Sequence, residues 1–373
     1  MTPRVLIVSK PLVPPWNDSG KNVARDVVTF ARTTDFTVLT ARPVASPFPA
    51  NVTQVPVYRD ARTFGPRLIE NARVAWFLAR QRTANIVHYF FAPNRTTSSV
   101  ARAIAKLHRS QKTVQTVLSA PRDVASLLPN LFADRIVTVS RFRAHQIPGA
   151  VCIPPGIPIG ECPSSDARSS ARHRFGFDTE AFVALYAGDL EFSNTANFIA
   201  ECVPRLALAA PRVRVVFACR TKTQLARDID SRLRAELRAY SNVSFLGEVV
   251  GIRELLLAAD VALLPTDDTF AKIDLPLVLL ESLEVGTPIL VGRIEPLTEL
   301  LGNDGALAVD PRQSDELVAT LKLLSESHNR VTQMREAARE AAVSRFDARD
   351  MAAAYDALYA ELSARGVQPV VPG

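Results

Sequence analysis

Short runs of Val, Ile and Leu alternate along most of the chain with stretches whose apolar positions recur every three or four residues. The strand-like runs are 4–10, 36–41, 53–58, 85–91, 113–119 and 135–140, then 182–187, 213–219, 243–246, 261–265, 288–291 and 306–309. Several are continuous apolar runs, as parallel strands covered on both faces require. Helical periodicity fills 21–31, 66–82, 98–109, 195–208, 225–240, 252–258, 277–285 and 315–325. This alternation predicts an α/β protein with doubly wound sheets. The run Ile153-Pro-Pro-Gly-Ile-Pro158 and the polar stretch 162–174 interrupt it and read as a linker. From residue 330 the pattern is helical alone, over 331–344 and 349–364. Two Rossmann-like domains are therefore predicted, 1–155 and 156–345. They face a cleft at the carboxyl ends of their strands, where open α/β sheets take their ligands.

Composition narrows the classes. A chain of 373 residues, 47% hydrophobic and 22% charged, can bury two cores and is not disordered. No apolar window approaches the ~18 residues of a membrane span. The chain begins directly in strand pattern, with no basic and apolar leader, which predicts a cytoplasmic protein. Cys152, Cys162, Cys202 and Cys219 are scattered and the five histidines are remote from one another, so no metal site is expected. The net charge of +6 hides a step: residues 1–155 carry 21 Lys and Arg against 7 Asp and Glu, the remainder 23 against 31. Either the first half meets something anionic, or its arginines are a solvated surface. Within it, 59–82 holds six arginines, with Leu68, Ile69, Ala72, Trp76 and Ala79 at helical spacing and Phe77 beside them. Core packing explains the apolar stripe alone; a basic helix lying on an anionic membrane explains stripe and charge together. No nucleic-acid reader motif accompanies the charge, so no nucleic-acid partner is expected.

Four places carry candidate chemistry. The first strand leads through a loop to Gly20 and Lys21 at the start of a helix, where free N–H groups suit a phosphate. An ordinary capped turn fits as well, since the loop has neither the Walker pattern nor a second glycine. Cys219-Arg220-Thr-Lys222 follows a strand directly, and Lys272 and Asp274 precede the apolar helix that carries Glu281. Cations beside a helix start could offset a diphosphate, and a carboxylate could hold hydroxyls; surface cations and a structural carboxylate are the plainer readings. His88 ends a strand at the ligand edge and could touch an acceptor or sugar, or pack in the core.

The run Leu279-Leu-Glu-Ser-Leu-Glu-Val-Gly-Thr-Pro288, the segment Val151-Cys-Ile-Pro-Pro-Gly-Ile157 and Ala133-Asp-Arg-Ile-Val-Thr-Val-Ser140 resemble retaining GT-B glycosyltransferases of the glycogen-synthase-like, nucleotide-sugar-using group. The resemblance runs over essentially the whole chain, and implies that a closing helix over 346–366 packs back on the first domain. It implies transfer of a sugar from a UDP- or GDP-linked donor to a glycan, lipid-linked or other acceptor, with retention and without a metal. A place on the inner face of the cell membrane would suit such an acceptor. Glu281 matches the second glutamate of the family pair, which holds the donor ribose; the first falls on Ile273, flanked by Lys272 and Asp274 as a substitute polar pair. Gly20 matches the glycine that meets the donor phosphates, and Gly188 opens the loop that clamps them. In that loop Asp189 stands at the family's Arg position and Asn194 at its Lys position, while Leu118 replaces the usual active-site histidine. Arg220, Lys222, Lys272 and Lys21 are the replacement cations, and His88, Asp274 and Lys272 the candidate catalytic groups. The departures also fit a second reading, a catalytically silent partner or regulatory subunit of a glycosylation system.

Overall fold

The computed structural model describes residues 2–41, 48–59, 68–119, 121–302 and 304–364. The chain divides into two units: Met1–Pro158, Lys272–Asp274 and Phe346–Gly373 form the first, Ile159–Ala271 and Leu275–Arg345 the second.

Unit 1 begins β1 (Arg4–Val8), α1 (Ser19–Phe30), β2 (Asp35–Thr40), β3 (Val52–Pro56), α2 (Leu68–Arg80) and β4 (Ile86–Tyr89). It continues with α3 (Arg95–Leu107), β5 (Lys112–Val117), β6 (Arg135–Thr138), α4 (Arg141–Gln146) and β7 (Val151–Cys152). The sheet is parallel in the order β3-β2-β1-β4-β5-β6-β7. β4 shows how its two faces are covered. Val87 and Tyr89 join Val74, Leu78, Ala101 and Ile104 of α2 and α3 in one core, while His88 points the other way.

Unit 2 holds α5 (Ser165–Arg174), β8 (Phe182–Tyr186), α6 (Thr195–Ala209), β9 (Val213–Phe217), α7 (Gln224–Glu236) and β10 (Val243–Phe245). After these come α8 (Ile252–Ala258), β11 (Val261–Leu264), α9 (Leu277–Glu284), β12 (Ile289–Gly292), β13 (Ala306–Val309), α10 (Ser314–Glu326) and α11 (His328–Arg345). Its parallel sheet runs β10-β9-β8-β11-β12-β13. The last helix, α12 (Ala348–Ala364), belongs to unit 1 and packs on α1. There Asp356 accepts from the Arg32 and Thr33 amides at 2.7 and 3.1 Å and from the Thr34 hydroxyl at 2.6 Å, satisfying backbone donors just past the end of α1.

Two readings of the pattern change. The polar stretch 162–174 is mostly helix: Ser164 caps α5 by accepting from the Ala167 amide at 3.1 Å, Asp166 lies in the first turn and Arg172, His173 and Arg174 in the last. Polar residues placed this way complement helix ends, so low hydrophobicity did not mean linker. Two of its arginines are not solvated: Arg168 and Arg172 meet Asp260 at 2.7 and 2.9 Å, joined by Arg335 from α11 at 3.4 Å. The second change concerns α2, where Glu70, Val74 and Leu78 turn inward while Leu68, Ile69 and Trp76 are exposed. The stripe is an outer face, not core. Residues 60–67 of the 59–82 stretch lie outside the described residues.

Candidate functional site

In each sheet the strand order reverses beside the first strand, between β1 and β4 in unit 1 and between β8 and β11 in unit 2. These switch points open crevices at the carboxyl ends of strands, where α/β sheets bind ligands.

At the unit 1 switch, Asp18 caps α1 by accepting from the Lys21 amide at 3.1 Å and pairs with Lys10 at 2.6 Å. Gly20 sits in the first turn of α1, where a Cβ would come within 3.0 Å of Leu118 Cδ1. Lys21 does not serve as an open cation. Its ammonium is buried, donates to the Val13 and Pro15 carbonyls, and lies over the Trp16 ring. Burial lowers its pKa, with Asp18 opposing.

His88 is likewise corrected. It is fully buried, its ring hydrogen-bonded to Tyr359 at 2.6 Å and Thr116 at 2.7 Å, and desolvation pushes its pKa well below the ordinary histidine value. It is a neutral core residue tying β4 and β5 to α12, with no nitrogen left for an acceptor. Asp274 is committed too: its amide donates to the Leu118 carbonyl at 3.0 Å, and its carboxylate accepts from Ser140 Oγ at 2.7 Å and pairs with Arg143 at 3.3 Å. Only 1% of that side chain is exposed, so the carboxylate anchors the tripeptide and is not open to substrate. Lys272, half-buried, belongs through the same tripeptide to unit 1.

The unit 2 switch gathers the other expected residues. Gly188 follows β8, and a Cβ there would stand 2.5 Å from the Tyr186 ring. That ring folds back over the strand end and donates its hydroxyl to the Asp189 carbonyl at 2.5 Å. Only glycine permits so close a ring. Asp189, in place of the expected cation, accepts from the Phe192 amide at 2.8 Å and shapes the loop. Ser193 and Thr195 share a 2.8 Å hydrogen bond at the start of α6, whose N-cap Asn194 makes no side-chain cap bond. The first turn of α6 thus presents N–H groups and positive dipole at the strand ends.

The loop after β9 lies alongside. Ala218 donates to the Tyr186 carbonyl at 2.9 Å, and Thr223 both caps α7 and donates to Glu191. Between them stand exposed Lys222 and half-buried Arg220, the latter 3.9 Å from Glu248. Glu281 is half-buried in the second turn of α9, on the connection that leaves β11. Gly188, Arg220 and Lys222 therefore sit on adjacent loops of one sheet edge, and the helix carrying Glu281 starts from the neighbouring strand.

Sequence reasoning missed Tyr186, Ser193 and Thr195, which hold the loop; the hydroxyl pair before a helical pattern was the available signal. It also missed Glu284, a buried carboxylate of α9 that meets Arg253 at 2.9 Å, Arg339 at 2.8 Å and the Gly160 amide at 3.1 Å. Desolvation opposes its ionisation, yet the Arg253 contact and the other donors hold its pKa below the ordinary value. Among the described residues no group of three or more His, Cys, Asp or Glu could hold a metal ion, and no helix is long and apolar enough to cross a membrane.

Residues 181–327 match the family model described as glycosyl transferases group 1. No curated protein sequence matches the chain. Among solved structures it is similar to Anabaena Alr3699/HepE in complex with UDP and glucose, with 16% identity, TM-score 0.74, and 96% of this chain and 99% of that one covered. Sucrose-phosphate synthase from Thermosynechococcus elongatus gives 16% identity and TM-score 0.74 over 98% of this chain and 100% of that one. The α,α-trehalose 6-phosphate synthase from Burkholderia multivorans gives 14% and 0.67 over 98% and 100%. The fold is GT-B, two Rossmann-like parallel-sheet units.

Proposed function

We propose that the protein is a glycosyltransferase that moves a sugar from a nucleotide-sugar donor, UDP- or GDP-linked, to an acceptor with retention of anomeric configuration. The observation that carries the reading is the unit 2 sheet edge, where a glycine loop, a helix N-terminus, Arg220 and Lys222 stand on adjacent loops and the helix carrying Glu281 starts from the neighbouring strand, all within the matched segment. Similarity to HepE, solved with UDP and glucose, supports the donor class.

In this reading Glu281 accepts hydrogen bonds from the ribose hydroxyls. Arg220, Lys222 and the α6 N-terminus meet the diphosphate. As the bond from the anomeric carbon to the phosphate oxygen breaks, its electron pair leaves on the nucleoside diphosphate, where these cations and amides are already placed. An acceptor hydroxyl oxygen forms the new bond, and its proton passes to the phosphate oxygen that departs. The protein supplies the positive charge itself, so the transfer calls on no metal. The basic first unit takes an anionic or lipid-linked acceptor at the inner face of the membrane.

Calorimetric titration with UDP, GDP and their nucleosides tests the donor site. Glu281→Gln keeps the shape but removes charge-assisted hydrogen bonds, and weakens UDP and uridine alike by about 1.5–3 kcal/mol. Arg220→Gln with Lys222→Gln weakens the diphosphate far more than the nucleoside. Unchanged affinities in both variants would overturn the assignment, and the anomer of the first product, read by NMR, tests retention. The silent-partner reading draws on the commitment of Asp274 to Arg143 and Ser140 and on the burial of His88. Nucleotide binding without turnover on any acceptor would select it.

A further inference from the structure

From residue 71 to residue 122 the chain contains no Asp or Glu, but nine Lys and Arg. That stretch includes nearly all of α2 and the whole of α3, which pack side by side over one face of the unit 1 sheet. Their carboxyl ends are tied together: His108, just past α3, meets Arg82 at 2.9 Å and the Ala79 carbonyl at 3.1 Å. Glu70, the one acidic residue of α2, is buried and accepts from the Arg59 amide at 3.1 Å, so it places no charge on the surface.

The outer sides of the two helices are apolar and basic at once. Trp76 is 60% exposed, Ile69 63% and Leu107 68%, with Val100 exposed between them on α3. The Arg80 guanidinium stacks 3.9 Å from the Trp76 ring centroid, and Lys106 and Arg109 stand exposed beside Leu107. Cations near helix ends complement the dipole, which accounts for Arg80 and Lys106 one at a time. It does not account for a 52-residue stretch free of acid, nor for large apolar side chains left in water on both helices.

We infer that this α2–α3 face is a docking surface for an anionic lipid bilayer. Indole and aliphatic groups enter the headgroup boundary, while arginine and lysine heads remain with the lipid phosphates. Nucleic acid would use the cations and give no role to Ile69, Trp76 and Leu107. A bilayer surface uses both features at once. The surface lies on unit 1 and stands whether or not unit 2 transfers sugar.

The test uses the full chain with vesicles of phosphatidylglycerol and phosphatidylcholine in equal parts, against phosphatidylcholine alone. The protein sediments with the first and stays in solution with the second. Binding collapses near 1 M salt, where the Debye length is about 3 Å. Arg80→Gln with Lys106→Gln lowers partitioning about fivefold per cation, the equivalent of about 1 kcal/mol each. The chain has two tryptophans, Trp16 and Trp76. Emission shifts to the blue on anionic vesicles in Trp16→Phe and stays fixed in Trp76→Phe. All these positions except Trp16 are exposed, so unchanged melting of the variants separates loss of docking from loss of fold. Equal partitioning to neutral vesicles, a blue shift that survives Trp76→Phe, or capture by duplex DNA as strong as by anionic vesicles and indifferent to Trp76→Ala would each overturn the inference. UDP affinity is unchanged in the Arg80 and Lys106 variants, which keeps this outcome apart from that of the donor reading.

Discussion

A histidine with both ring nitrogens engaged inside a sealed core gains no stability from a proton. For His88, desolvation holds the folded pKa well below 6.5, while the unfolded chain takes up a proton near the ordinary value. Below about pH 6.5 the unfolded state therefore binds more protons than the folded state, and stability falls as pH falls. The contribution is full above that pH and is lost at about 1.4 kcal/mol per pH unit below it. Hydrogen exchange of α12 amides, measured from pH 7 downward, shows this slope. His88→Gln flattens it while costing about 1 kcal/mol at pH 7 for altered hydrogen bonds; an unchanged slope would assign the acid sensitivity elsewhere. His88, Lys21 and Asp274 share a lesson about legibility. Each stands where a motif or strand end predicts chemistry. Each is occupied by other groups: Tyr359 for His88 and Arg143 for Asp274, both distant in sequence, and the Val13 and Pro15 carbonyls of its own loop for Lys21. A strand end can be read from periodicity; the partner that occupies a side chain cannot.

At the scale of elements, loops and helix ends are held by single polar residues whose loss is measurable. Asp260 receives Arg168, Arg172 and Arg335, which also bond the carbonyls of Leu257, Ala258 and Ala259 at the end of α8. Burial and the neighbouring arginines lower Arg335 to about 9, so the carboxylate is what keeps three guanidinia together. Asp260→Ala leaves them uncompensated and lowers the stability of unit 2 by about 3–5 kcal/mol, read by urea denaturation. A loss under 1 kcal/mol would mean that the α8 carbonyls suffice. In the loop after β8, Gly188→Ala drives a methyl into the Tyr186 ring, costs about 1–3 kcal/mol and weakens UDP binding. Tyr186→Phe, which keeps the ring but removes the hydroxyl's bond to the Asp189 carbonyl and its interactions with Thr195 and Ser193, weakens UDP less. The long elements were legible because a parallel strand is a run of Val, Ile and Leu and a covering helix repeats every 3.6 residues. β7, two residues long, and α4, six, are too short to carry a period. α5 was hidden because its arginines look like solvent residues until Asp260 is seen beneath them.

Across the whole molecule, the two sheets repeat one plan, each with its own switch point, and this plan follows directly from the order of strand and helix patterns. What the pattern does not carry is the membership of Lys272–Asp274 in unit 1, which is anchored by a pair, Arg143 and Asp274, 131 positions apart. Candidate chemistry is accordingly divided: Arg220, Lys222 and Glu281 stand on unit 2, and the acid-free helices on unit 1. A donor that binds only native unit 2 stabilises it by mass action, by about 2.7 kcal/mol at about 100 times Kd. Hydrogen exchange with UDP therefore slows first at residues 188–196, in the glycine loop and the first turn of α6, and at 218–224 after β9. Glu281→Gln, at the same UDP concentration, loses about half of that protection or more, since a drop of about 1.5–3 kcal/mol in binding raises Kd at least tenfold. Protection that appeared only at α11, or that persisted unchanged in Glu281→Gln, would move the nucleotide away from the β8–β11 switch point.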